Sequence, residues 1–174
     1  KWLLFFLLIF SVNIFSFPYY VAEDILLEVQ QNESQYDLYP TDNKVIFELA
    51  MSYAYSGQIL KGWNKLKTIP KEYSHEVISE YELLMHDYPK EWRYPFKLAF
   101  GYFFKKEKQK AIDLFLHVIE LEPKQVWAYG YIALIYGEMD DVENAILWCK
   151  KGLVIEPNAT GIHFLLMEAY RRKK

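Results

Sequence analysis

Apolar and polar positions are distributed along this chain in two ways. From Trp2 to Ala22 there is no charged residue, and apolar side chains are densest in "WLLFFLLIF" near the start. From Glu23 onward they are spaced instead. Val77, Ile78, Tyr81, Leu84, Met85 and Tyr88 recur three or four positions apart, which places them on one face of a helix. Proline punctuates the rest, with Pro89, Pro123 and Pro157 each 34 residues from the next. Each marks a place where a helix must stop, because proline lacks a backbone donor and pushes the preceding residue out of helical geometry. Asp141, at the head of "DVENAILWCKKGL", is expected to cap a helix start.

The register repeats around the prolines. Nine residues after them come Leu98, Ile132 and Leu166; ten after, Ala99, Ala133 and Met167; thirteen after, Tyr102, Tyr136 and Tyr170. Ala111 and Ala145 follow the first two prolines by 22. Small residues let the two helices of a hairpin approach closely, and the large ring fills the space beside them. Pro40 begins the same pattern with Leu49, Ala50 and Tyr53, but it lies 49 residues before Pro89. The excess of 15 over one period has room for one added helix within Lys71 to Tyr88.

These residues resemble the tetratricopeptide repeat family, whose unit is a 34-residue helix-turn-helix. Residues 92–125 match with Leu98, Ala99, Tyr102, Ala111, Phe115, Val118 and Pro123, and residues 126–159 with Ile132, Ala133, Tyr136, Ala145, Cys149, Gly152 and Pro157. A degenerate repeat spans 43–70, with Gly62 where alanine is usual. An inserted helix falls in 71–90 and a capping helix in 160–172. The resemblance implies an all-α fold, a right-handed superhelical stack of repeats over 42–172, preceded by a linker or N-terminal helix over 23–41.

The family tends to bind extended protein segments on a concave surface lined by first-helix residues. Carried over with the aromatic pattern of the chain, that surface comprises Phe47, Met51, Arg93, Phe96, Phe100, Phe103, Trp127, Tyr131 and Leu134. Family members that grip a carboxylate tail use Lys and Asn in this surface. Here Phe and Met stand in their places in the first unit, so that activity is not expected. An apolar strip of this size marks either a partner site or a surface covered by the protein's own chain, and the segment before the first unit is one candidate cover.

Chemistry is sparse. Four histidines are scattered without metal-ligand spacing, and the one cysteine, Cys149, falls at an inter-helix packing position. "HEVIS" begins like the zinc-protease motif but has no second histidine four residues after His75. No phosphate-binding glycine loop or nucleophile elbow is present. The expectation is a non-catalytic scaffold or adaptor with no cofactor, no metal and no small-molecule substrate, whose partner is a protein or peptide. A net charge of −3 over 174 residues, with basic and acidic residues intermixed, gives no surface for neutralising nucleic-acid phosphates. The alternative is a structural module whose groove is filled internally and which self-associates or docks on a membrane.

Residues 1–22 read as a signal peptide or an N-terminal membrane anchor. The apolar stretch from Trp2 to Phe10 fits a secretory core, while the whole uncharged run is about long enough to span a hydrocarbon layer of roughly 30 Å. Both readings place the remainder outside the cytoplasm. "NES" at Asn32 and "NAT" at Asn158 match the glycosylation pattern.

Overall fold

A computed structural model describes residues 20–173. The signal or anchor segment, up to residue 19, lies outside the described residues. The described chain is an all-α stack of helix-turn-helix units, with no strand among those residues. In order, the helices are α1 (Glu23–Leu38), α2 (Asn43–Tyr55), α3 (Ile59–Leu66), α4 (Ser74–Asp87), α5 (Arg93–Phe104), α6 (Lys108–Leu121), α7 (Val126–Glu138), α8 (Val142–Ile155) and α9 (Thr160–Arg172), with a 3-10 turn at Lys71–Tyr73 before α4.

Two kinds of corner build the stack. The first recurs at the periodic prolines. Tyr39, Tyr88, Glu122 and Glu156 each precede a proline and take an extended φ between −128° and −136°. Their N–H groups donate to Gln35, Leu84, Val118 and Gly152 at 2.8–2.9 Å. Helix termination before proline thus takes the same form four times.

The second kind joins the helices of a hairpin. Gly57, Lys106 and Asp140 occupy equivalent places and have positive φ, at 86°, 63° and 63°. The next N–H folds back each time, Gln58 to Tyr53, Glu107 to Tyr102 and Asp141 to Tyr136, at 2.9–3.0 Å. This six-to-one bond satisfies carbonyls that a helix end otherwise leaves open. Asp141 then caps α8, its carboxylate accepting from Asn144 N–H at 3.1 Å. Asp42 caps α2 in the same way, at Lys44 and Val45.

Helices adjacent in sequence pack against each other along the stack, except α3 and α4, which the 3-10 turn separates. Gly62 serves α2–α3 packing, since a Cβ there would stand 2.9 Å from the Ala50 carbonyl oxygen. Helix α2 also packs on α7, far ahead in sequence. The first hairpin therefore folds back over the repeats that follow it. Helix α3 has only eight residues, against 14 in each of α6 and α8.

Candidate functional site

The expected concave strip lies mostly in the interior. Phe47, Met51, Phe96, Phe100, Trp127 and Tyr131 are buried, none more than 9% exposed. Phe103, Leu134 and Arg93 are half-buried. The rings form one continuous body. Phe100 meets Tyr131 edge-on at 4.9 Å, Tyr131 stacks on Phe115 at 5.5 Å, and Phe96 stands edge-on to both Phe115 and Tyr131.

The cover is the α2–α3 hairpin. Tyr55 at the end of α2 meets Phe96 edge-on at 5.4 Å. Trp63 of α3 lies over Phe103 and Phe104, at 6.2 and 6.4 Å. The Trp127 indole runs so close under the α2–α3 turn that a Cβ on Gly57 would meet its Cζ2 at 2.7 Å. Gln125 Nε2 donates to the Tyr55 carbonyl at 3.5 Å. The aromatics of the strip are thus buried against the first hairpin, the arrangement expected of a groove filled by the protein's own chain. The segment before the first unit, offered as a cover, forms α1 and packs mainly on α2 instead. Full burial of a large apolar side chain is worth about 1.5–3 kcal/mol. Lifting the hairpin would expose Tyr55, Trp63, Phe96 and Trp127 together, a cost of the same order as a domain's net stability of about 5–15 kcal/mol.

A polar cluster ties this closure down. Lys97, only 6% exposed, puts Nζ 2.6 Å from Glu48 Oε2 and 3.8 Å from Glu28 Oε1. Arg93 donates from Nε to Glu28 at 2.8 Å and from a terminal nitrogen to Asp24 at 2.6 Å. The Tyr55 hydroxyl donates to Glu28 and the Tyr81 hydroxyl to Glu48. Helices α1, α2, α4 and α5 are joined through these groups.

The electrostatics are those of a closed network. Burial, reinforced by Glu28, holds the Tyr55 hydroxyl well above the ordinary phenol range. Burial and Glu48 do the same for Tyr81. Both therefore stay protonated as donors. For Arg93, burial alone would favour the neutral form, but the bond to Asp24 and the charge of Glu28 outweigh it and raise its pKa. The Arg93 hydrogen bond in turn lowers Asp24. Every member faces a partner in the cluster.

Sequence reasoning placed Arg93 in the groove and missed Lys97, Glu28 and Glu48. A signal existed. Glu48 and Lys97 each stand eight residues after a periodic proline, alone among apolar neighbours in "VIFELAM" and "PFKLAF", and Tyr131 holds that place in the next repeat. Cys149 is fully buried, and burial pushes its thiol up to about 11. Among the described residues no three His, Cys, Asp or Glu are arranged to hold a metal ion. None of the described helices is long and apolar enough to cross a membrane.

The outer face of the last helix behaves differently. Phe164, Met167 and Tyr170 are 63%, 58% and 43% exposed, one turn apart along α9. Together they form an apolar stripe on α9.

No family model matches the chain, and no curated protein does. Solved structures of MamA resemble it in fold. One, described as MamA MSR-1 C2, aligns with a TM-score of 0.48 at 19% identity, over 83% of this chain and 75% of that one. Another, described as a crystal structure of MamA protein, has a TM-score of 0.48 at 18% identity, over 86% and 79%.

Proposed function

We propose that the protein is a non-catalytic interaction scaffold, whose partner is a protein and whose recognition surface is the outer face of the stack rather than its concave side. The exposed Phe164, Met167 and Tyr170 stripe on α9 carries this reading, because apolar area of that kind on a free surface marks an interaction site. Self-closure of the aromatic strip supports it by removing the competing surface. The N-terminal apolar segment supports an exported or membrane-tethered location, with α1 to α9 on the far side of the membrane.

A photocrosslinking amino acid at 164 or 167 tests the assignment in extracts of the source cells. Capture of a discrete protein from these positions, and none from Phe100, is the expected result. Capture from Phe100 alone would return the partner site to the groove.

The charge distribution favours a second reading, self-association end to end. Besides Asp24 and Glu28, which Arg93 holds, helix α1 carries Glu23, Glu33 and Asp37 and no basic residue, with Leu26 and Leu27 exposed. The other end carries Arg171, Arg172 and Lys173 beside its apolar stripe, each paired at the surface with an acid of its own chain, Glu168, Asp140 and Glu143. Sedimentation at rising salt separates the readings, since a charge-paired assembly dissociates as salt screens it.

A further inference from the structure

The early end of α3 has a consequence beyond the scaffold reading. Where the other second helices continue for 14 residues, α3 stops at Leu66, and the chain detours through Lys67 to Tyr73 before α4 begins. The missing turns leave a cavity of about 320 Å³, walled by Phe47 of α2, Trp63 of α3, Val77 of α4 and Phe104 at the end of α5. This volume lies at the lower end of the roughly 300–1,000 Å³ usual for small-molecule sites.

Its polar groups are few and mainly of one sign. Lys67 and Lys71 line it from the detour, both exposed at their own positions, and no Asp or Glu is among the lining residues. Neither lysine has an ion-pair partner among the described residues. The acids that bear on the Tyr73 wall, Glu80, Glu76, Glu48 and Asp42, all lie outside the lining; Glu80 is held by Lys44 at 2.7 Å and Glu48 by Lys97 at 2.6 Å. Water in such a cavity finds few polar partners. An apolar body with an anionic head satisfies both the walls and the two cations.

We propose that this cavity binds a medium-chain carboxylate, its acyl chain against Phe47, Trp63, Val77 and Phe104 and its head group at Lys67 and Lys71. The ligand is held without being transformed. This departs from the sequence expectation that only proteins or peptides would bind.

Calorimetric titration of the whole chain with decanoate, decanol and decyltrimethylammonium, each below its micelle concentration, tests the site. Decanoate is expected to bind more tightly than decanol, and the cationic amphiphile not to bind. Lys67→Ala with Lys71→Ala, both at the surface, is expected to weaken decanoate roughly tenfold and leave decanol unchanged. Val77→Phe, and separately the more peripheral Ile69→Trp, are expected to abolish binding while circular dichroism confirms the helical fold. Failure of decanoate to bind the wild type overturns the proposal, as does equal affinity for the lysine variant. Undiminished binding in whichever filling variant remains folded overturns it too. Decanol binding as tightly as decanoate overturns the anionic assignment and points to an apolar side chain of a protein partner as occupant.

Discussion

Lys97 and Glu48 hold the same place in successive units of the chain, eight residues after a proline, and meet across α5 and α2 with Nζ 2.6 Å from Oε2. A residue pair that the period makes equivalent thus becomes an ion pair when the first hairpin folds over the second. Lys97 is almost wholly buried, while the Glu48 side chain keeps 22% of its exposure.

Removing one member leaves the other unmatched. Lys97→Ala is expected to destabilise the fold by roughly 3–4 kcal/mol, the lower part of the range for broken buried pairs being appropriate because Glu48 is partly wet. Lys97→Met combined with Glu48→Leu should recover most of the loss. Urea denaturation of the three variants measures this, and a single variant as stable as wild type would contradict a structural role for the pair.

Trp127 and Phe164 separate interior from surface. Trp127→Ala removes an indole buried between the Gly57 turn and Gly161 and is expected to cost about 3–5 kcal/mol. Phe164→Ser, at a side chain 63% exposed, should stay within about 0.5 kcal/mol. Thermal melts of both decide it. An unaffected melting temperature in Trp127→Ala would show that the strip is open after all.

Stability should decline in alkali. Tyr102 is pushed up to about 12, first by its hydrogen bond to Glu82 and then by burial, and Tyr55, Tyr81 and Tyr131 are raised as well, each chiefly by burial. An unfolded tyrosine loses its proton near pH 10, so above that pH the unfolded state holds fewer protons than the folded one. Linkage then makes unfolding more favourable as pH rises. From these groups the expected profile is flat up to about pH 9 and falls from about pH 10 through 12. Denaturation midpoints against pH provide the check, with stability rising across that window as the contrary result.

Cys149 should be silent in the folded protein. With its thiol buried and raised to about 11, Ellman's reagent at pH 8 should give no colour until denaturant is added. Rapid reaction in native buffer would place the thiol at an accessible site.

The cap at α8 is a local test. Asp141→Ala removes the carboxylate that accepts from Asn144 N–H and is expected to cost about 1 kcal/mol. Asp141→Asn, which retains an acceptor oxygen, should cost less. Equal losses in the two variants would assign the effect to charge rather than capping.

Much of the architecture was legible because its determinants are local. Pro40, Pro89, Pro123 and Pro157 act on the residue just before them, and Asp141 acts on the turn it begins, so their effects need no knowledge of distant chain. Small residues such as Ala99 and Ala133 likewise marked close approach within a hairpin. The all-α fold followed from the family resemblance those residues carry. The strip from Phe47 to Leu134 was legible as apolar, but its exposure was not, because periodicity shows which side of a helix is apolar and never what lies against it. That depended on the tertiary course of the first hairpin. Folding α2 back onto α7 turned the expected groove into core, brought Glu48 to Lys97, and left the truncated α3 beside a cavity. The sequence determined where helices begin, turn and end, through backbone donors and caps within a few residues of each corner. Only the tertiary structure decided which apolar face met solvent, since burial is settled by contacts between segments far apart in the chain.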